Sequence, residues 1–504
     1  MSPLLLLLAC LCSALLVVAQ FTPLPHVRPQ SPKFTSVAVN SLIDDYVSRM
    51  ANPDLATLFS NCFPNTLDTT VQFYAPSTPT SKPSAFIITG DIDAQWFRDS
   101  ANQLLPYMSL AASDPALSDL MCGLILRHAA DVTHDSFANS YNFNASGAGH
   151  QDDQRFPPMT KEVFEGKYEL DSLAAVMKLA SAYYNATGDA ACFLTDAAWS
   201  NAMQRLLQTI QSMQAATSDP SASPYRFQRV SSTPTETQEL DGMGPPTAYT
   251  GMSRSPFRPS DDATTFPYLI PAQAMTVVEL RKLAAMIGEF KTRDESAQLS
   301  TDHALQLSQL QSVAGQLAAE IDAGIQQFGV LKRPGSGTAL YAYEVDGFGS
   351  ANLMDDANIP SLLSLPYLGY VSASDPVYQS TREFVWSGSQ GFYWAGTAGR
   401  GIGGPHAGYG QIWPMSVVMF GMTSESDAEI SWALESLVNS SAGTGFLHES
   451  FNKDDVTKFT RPWFAWVNGI FGEFILKLAK ERPYLIFAKE ADMQGQEEAQ
   501  ISLE

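Results

Sequence analysis

RPSDDATTFPYLIPAQAMTVVELRKLAAMI, residues 258–287, opens on a polar cluster and then runs into a largely apolar stretch. A helix apolar on nearly all sides is a buried helix. The next helical stretch, TDHALQLSQLQSVAGQLAAEIDAGIQQF from residue 301, has a different character. Its apolar residues recur at helical spacing and leave one face for water. A buried helix paired with a half-exposed one is the repeating unit.

The same pairing extends along the chain in both directions. Amphipathic stretches start VAVNSLIDDYVSRMANPDLATLFSNCF (37–63), DPALSDLMCGLILRHAADV (from 114), DAAWSNAMQRLLQTIQSMQAA (from 196), DPVYQSTREFVW (from 375) and DAEISWALESLVNS (from 427). Between them lie WFRDSANQLLPYM (from 96), YELDSLAAVMKLASAYY (from 168), MDDANIPSLLSLPYLGY (from 354), GQIWPMSVVMFGM (from 410) and RPWFAWVNGIFGEFILKLA (from 461). Six of each, alternating, predict an all-α (α/α)6 barrel of six helical hairpins in a single domain over 33–485. The polar openings of the inner helices then gather at one rim, where loops on a rigid scaffold carry function. SAFIITGDID (84–93) and YAYEVDGFGS (341–350) read as short hairpin pieces beside that rim.

The 504 residues are 45% hydrophobic and carry a net charge of −22. An acidic chain without a basic face is not built for nucleic acid. The run from Leu4 to Val18, followed by Val17-Val18-Ala19, reads as a secretory signal over 1–19. It lacks a basic start, so an uncleaved membrane anchor is the alternative. Residues 20–32 read as an extended leader, and 486–504 as an acidic, disordered tail. Asn144, Asn185 and Asn439 begin glycosylation sequons. Past the signal, Cys62, Cys122 and Cys192 allow one disulfide and one free thiol, with the pairing open.

Asp261 and Asp262 stand side by side between Phe257 and Phe266. Adjacent carboxylates repel, and an apolar flank makes ionising both costlier. One reading is a helix start, where Ser and Asp satisfy free N–H groups. The other is a catalytic acid beside a sugar-binding carboxylate. Pro259, Pro267 and Pro271 bracket the pair and place regular helix from about Pro271, so the aspartates fall in an irregular loop. The openings hold no GxSxG elbow, HExxH helix or phosphate loop. Asp, Glu, Arg, Trp and Tyr together are what a glycosidase uses: aromatic faces for sugar C–H surfaces, forked groups for hydroxyls, paired carboxyls for acid and base.

An ordered set of motifs makes this specific: GDIDAQWFRDSANQLLPY, HQDD, EVFEGKYELDSL, GMSRSPFRPSDDATTFPYLIP, YEVDGFGSANLMDDANIPSLLSLPYLG, GPHAGYGQIWPMS and FLHESFNKDDVTKFTRPWFAWVN. Together, over about residues 33–480, the chain resembles glycoside hydrolase family 125. Its members are exo-acting α-1,6-mannosidases, including fungal proteins described as meiotically up-regulated. The resemblance implies an (α/α)6 barrel, inversion at the anomeric carbon and no metal or other cofactor. It implies an α-mannoside glycan substrate, with a monomer that needs no protein partner.

Carried over by position, Glu449 matches the general base and the RPSDD pair holds the general acid. Asp262 is favoured over Asp261, though the match does not separate them. Trp96, Arg98 and Asp99 match a fork on mannose hydroxyls; the bland reading of the last two is an ion pair with a cap. His150 and Gln151 match substrate contacts, against a surface loop. Tyr168 and Glu169 match ligands, although with Asp171 they also read as a helix cap. Arg258, Asn352, Asp355, Asp356, His406, Gln411, Trp413, Arg461 and Trp463 complete the expected contacts. Asn352, Asp355 and Asp356 also read as a capping cluster; they lack the alternation of a calcium loop. Trp466 reads as core, and Lys453, Asp454 and Asp455 as a solvated turn. The competing expectations are an (α/α)6 glycosidase of another linkage or sugar, and a mannan-binding protein without turnover.

Overall fold

The computed structural model describes residues 23–488 except 219–222, 334 and 336. The expected signal sequence and nearly all of the expected acidic tail lie outside the described residues. The leader from residue 23 is extended and pinned to the domain. Leu24 N–H donates to Asp54, Val27 N–H donates to Asn61, and Arg28 pairs with Asp68 at 2.8 Å.

Helices α1 (Val37–Arg49), α2 (Pro53–Cys62) and the turn α3 (Asn65–Thr69) come first. There follow α4 (Phe97–Leu104), α5 (Pro115–His134), α6 (Leu170–Thr187), α7 (Ala197–Ser212), the short turn α8 (Glu239–Gly242), α9 (Ile270–Phe290) and α10 (Thr301–Gly324). The chain ends through α11 (Leu365–Leu368), α12 (Pro376–Val385), α13 (Pro414–Met422), α14 (Asp427–Ser440) and α15 (Ala465–Glu481).

The two populations expected from the sequence are present. Every residue of α4 and of α13 is buried. In α10 only a stripe is buried, including Leu307, Leu310, Ala314, Leu317 and Ile321. The inner helices pack on one another: α4 on α6, α6 on α9, α9 on α11, α13 on α15, and α15 back on α4. The outer ones back them, α10 against α9, α5 against α6, α14 against α13 and α2 against α15.

The two populations also start differently. The outer helices α1, α2, α5, α7, α10, α12 and α14 are capped by Ser36, Asn52, Asp114, Asp196, Ser300, Asp375 and Ser426, whose side chains accept first-turn N–H groups. Such a cap stabilises a helix by about 0.5–2 kcal/mol. The inner helices α4, α6, α9, α11, α13 and α15 follow Trp96, Glu169, Leu269, Ser364, Trp413 and Phe464, and none has a side-chain cap. Short ladders hold several of these starts instead. Gln95–Trp96 pairs with Ser140–Tyr141, Tyr268–Leu269 with Glu344–Val345, and Gln411–Ile412 with Ser450–Asn452.

Several local expectations change. The stretch 37–63 breaks into two helices, because Asn52 caps a fresh start and Pro53 cannot continue the old one. MDDANIPSLLSLPYLGY yields only the single turn of α11. Pro360 and Pro366 interrupt the ladder of helical N–H donors, and Asp355 draws the N–H groups of Leu362 and Leu363 into a turn. Ser84–Ile87 does not fold back on itself; it pairs with Val71–Ala75 and packs on α5. The 341–350 stretch does turn back as a hairpin, Glu344–Val345 pairing with Ala351–Asn352, and it also pairs with Val330–Lys332 and Tyr268–Leu269. Cys122 is bonded to Cys192, tying α5 to the segment before α7, and Cys62 is a buried free thiol.

Candidate active site

Three of the uncapped inner helices converge on one cavity. The residues that open α4, α13 and α15, namely Trp96, Trp413 and Phe464, line it. Helix N-termini carry partial positive charge, so this end of the fold tolerates carboxylates.

Arg98, in the first turn of α4, is buried and organises one wall. Its Nη1 lies 2.5 Å from Glu169 and 3.2 Å from Asp171; its Nη2 lies 2.9 Å from Asp261. Asp99 stands 3.7 Å from its Nε. One cation facing four carboxyls in a dry wall cannot keep all four ionised. Burial pushes the Glu169 carboxyl well above the ordinary range, against the pull of Arg98. Burial likewise lifts Asp99 and Asp171 to about 6. Asp261 goes the other way: burial is outweighed by Arg98, by a hydrogen bond with Glu169 and by Lys167, which hold it well below the usual range.

The turn that carries the aspartates explains why they part company. Arg258 N–H donates to the Asp262 carbonyl, and Asp261 N–H donates to the Arg258 carbonyl. Asp261 takes φ +66°, a left-handed conformation that a non-glycine residue adopts at a cost of order 1–3 kcal/mol. Lys167 Nζ holds its carbonyl at 2.8 Å. Asp261 therefore lines the cavity, with a quarter of its side chain exposed, and Asp262 turns inward and is buried. Asp262 lies 3.7 Å from the His406 ring. Burial opposes charge on His406, but the Asp262, Glu449 and Asp261 carboxylates raise its pKa to about 9.

Glu449 stands on another wall, just ahead of the strand Ser450–Asn452. Arg461 Nε lies 3.2 Å from its carboxylate, and the other end of that guanidinium reaches Asp91. Arg461 also has a positive φ, +53°. Trp96, Trp413 and Trp466 complete the lining, and Arg98 sits 5.5 Å over the Trp466 ring. The indole N–H groups of all three have no hydrogen-bond partner among the described residues. The indoles of Trp199, Trp386 and Trp394, away from the cavity, are unpaired in the same way, so it is the aromatic faces of the three that distinguish this lining.

Of the expected residues, the cavity brings together Trp96, Arg98, Asp99, Asp261, His406, Trp413, Glu449 and Arg461. Others stand behind it. Glu169 is buried under Arg98, and Arg258 is 2.7 Å from Glu344, which also receives Asn352. Tyr168 packs between Phe137 and Tyr225. Asp355 is used up by backbone donors, and burial lifts its pKa to about 8. Asp356 accepts from Asn358, which itself lines the cavity. Gln411 lies in its short strand beside Asn452, and Trp463 covers Gly90. His150 and Gln151 lie farther out: His150 is 3.7 Å from Glu165, and Gln151 bonds backbone carbonyls. Lys453 and Asp454 form an exposed turn.

Sequence reasoning missed Asn139, whose amide lies 3.0 Å from Glu165, 3.0 Å from Glu169 and 3.3 Å from Asp261. It also missed Asn358 and Phe464; Trp466 is in the core as expected, 1% exposed, and its ring also backs the cavity.

A family profile described as metal-independent alpha-mannosidase (GH125) matches residues 52–476. The meiotically up-regulated gene 157 protein of Schizosaccharomyces pombe is 41% identical over 480 residues, covering 92% of this chain and 90% of that protein. A solved Streptococcus pneumoniae metal-independent α-mannosidase, in a non-productive substrate complex with α-1,6-mannobiose, is 35% identical. It covers 89% of this chain and 100% of its own, with a TM-score of 0.80. A bacterial glucoamylase complexed with acarbose is 13% identical, covers 86% of this chain and 57% of its own, and shares the helical glycosidase fold at a TM-score of 0.50.

Proposed function

Because the chain belongs to the metal-independent α-mannosidases of glycoside hydrolase family 125, we propose that it is an exo-acting α-1,6-mannosidase that inverts the anomeric centre. The observation that carries this reading is that Asp261 and Glu449 both line one cavity walled by Trp96, Trp413 and Trp466. The contacts of α4 with α6, α6 with α9, α9 with α11, α13 with α15 and α15 with α4 are those expected along an (α/α)6 barrel.

In this reading a terminal mannose fills the cavity. Asp261 gives its proton to the glycosidic oxygen as the C1–O bond breaks. Glu449 takes a proton from a water whose oxygen bonds C1 on the opposite ring face. Arg461 orients the Glu449 carboxylate. Geometry ranks before pKa in choosing an acid, and it favours Asp261 over the buried Asp262. Asp99, Asn358 and the indoles supply hydroxyl partners. The exposed sequon residues Asn144, Asn185 and Asn439 are consistent with a secretory-pathway protein acting as a monomer on glycan.

The test is proton NMR of the protein with α-1,6-mannobiose, with α-1,2 and α-1,3 isomers in parallel. The expected result is early β-mannose from the 1,6 isomer alone, lost in Glu449→Gln. Early α-mannose would overturn inversion, and release from another isomer would overturn the linkage. Binding without release from any isomer would support a mannan-binding protein.

A further inference from the structure

Glu169 poses a problem that a role as sugar ligand does not solve. It is 1% exposed, and its oxygens are already engaged. Oε2 receives Arg98 at 2.5 Å and the Ser172 hydroxyl at 2.9 Å; Oε1 receives Asn139 at 3.0 Å. Its carboxyl faces that of Asp261 across Arg98, whose Nη1 reaches one and whose Nη2 reaches the other. The two share both donors, since Arg98 spans them and Asn139 reaches Asp261 at 3.3 Å.

We propose that Glu169 and Asp261 hold one proton in common, and that Glu169 is the positioning residue that keeps this proton beside the cavity and hands it to Asp261 for transfer. The inference rests on the α-mannosidase reading, with Asp261 as the acid.

The surroundings require a shared proton. Facing the pair are Arg98 and Asp99 from α4, Asp171 from α6, Glu165 and Lys167 from the segment before α6, and His406 from the loop before α13. Arg229 lies 2.8 Å from Glu165 and is itself shared with Asp153 and Glu236. Arg98 is the one guanidinium that touches both carboxyls. It can balance one carboxylate of the pair; the second carboxyl, buried, keeps its proton. Burial places that proton on Glu169 and Arg98 holds Asp261 ionised, so the resting acid is loaded only through its partner.

The protons balance. On cleavage the pair loses one proton to the leaving oxygen, while Glu449 gains one from water. After product leaves, Glu449 releases its proton to solvent, and Asp261, the exposed member, takes one back for the pair. A glutamate with no path to solvent is thereby recharged.

The test compares Glu169→Gln with the wild type on two substrates. One is α-1,6-mannobiose, whose sugar leaving group needs protonation. The other is 2,4-dinitrophenyl α-mannoside, whose leaving group does not. Expected is a loss in kcat on the disaccharide of about 10²-fold or more, the size of a general-acid contribution. On the aryl mannoside the loss is under about tenfold, with KM little changed. The alkaline limb of the kcat/KM profile moves to lower pH, because Asp261 beside Arg98 alone gives up its proton earlier.

Ser172→Ala is a milder second variant. It removes a donor to the ionised form of Glu169, so its alkaline limb moves to higher pH. Equal losses on both substrates, with KM raised, would make Glu169 a sugar contact and overturn the proposal. Equal losses with KM unmoved would make it structural and also overturn it. So would full activity in Glu169→Gln, or an alkaline limb unmoved in both variants. If the wild type cleaves no α-mannoside, the enzyme reading itself fails; if it cleaves and the variants behave otherwise, only this inference fails.

Discussion

Arg461 lies with its Nε 3.2 Å from Glu449 while its backbone sits at φ +53°. A long, partly exposed arginine in a left-handed conformation is an expensive way to make an ion pair. The cost is understandable if the guanidinium fixes which way the carboxylate points. Arg461→Met should lower kcat about 10–100-fold, within the general-base contribution it supports, and leave KM nearly unchanged. Arg461→Lys should recover part of the loss. Steady-state kinetics on α-1,6-mannobiose decide it, and a rise in KM alone would make Arg461 a substrate contact.

Asp261→Asn and Asp262→Asn separate neighbours that the sequence could not. The first should cost about 10²–10⁴-fold in kcat on the disaccharide, with the fold intact. The second should act on stability, since it removes a carboxylate buried beside His406. Denaturant midpoints read with kinetics on the same preparations give the answer. A catalytic loss confined to Asp262→Asn would reverse the assignment of the acid.

The architecture was legible because burial writes itself into periodicity. Stretches such as 410–422 and 427–440 differ in how many sides are apolar, and that difference separates inner from outer helices. The caps were readable in principle: Asp114 and Asp196 open amphipathic stretches, and Ser36, Ser300 and Ser426 stand one residue ahead of them. The choice between Asp261 and Asp262 was not, because it hangs on one backbone dihedral that no side-chain pattern encodes. Asn139 was invisible for another reason. It reaches Asp261 only because Ser140–Tyr141 pairs with Gln95–Trp96, a contact between residues far apart in the chain. The shortening of the helix expected from 354 was readable in principle from Pro360 and Pro366.

His406 gives a pH-dependent stability with a definite sign. Its folded pKa, about 9, lies above the ordinary value of 6.5. A raised folded pKa stabilises the fold fully below the unfolded value, and the contribution is lost as pH rises through the folded one. His406→Gln should therefore cost stability below about pH 6.5, and the deficit should fade between there and about pH 9. With nearly a third of the ring exposed, solvent screening reduces the effect to about 1 kcal/mol. Urea denaturation of both proteins across pH 5–10 measures it, and a deficit that grows with pH would contradict the ion-pair account.

The Cys122–Cys192 bridge closes a loop of sequence separation 70. Chain entropy predicts about 4 kcal/mol of stabilisation for a loop of that length. Cys122→Ala with Cys192→Ala should lower the unfolding free energy by about that amount without changing kcat, because neither residue approaches the cavity. Cys62, fully buried, should react with a thiol reagent only after denaturation. The expected titre in the denatured, unreduced protein is one thiol per chain once the expected signal over 1–19 is removed, and three where Cys10 and Cys12 are kept.

Trp466 tests whether the cavity's orphaned donors are meant for sugar. Its indole N–H has no partner among the described residues, and its ring lines the cavity floor under Arg98. If the N–H awaits a hydroxyl, removing it costs binding. Trp466→Phe keeps an aromatic face and deletes the donor. One neutral hydrogen bond contributes about 0.5–1.5 kcal/mol, so KM for α-1,6-mannobiose should rise about two- to tenfold. The denaturation midpoint should fall as well, because the ring is 1% exposed and the smaller one leaves a void. Were Trp466 only core, the midpoint would fall in the same way and KM would hold, so KM decides.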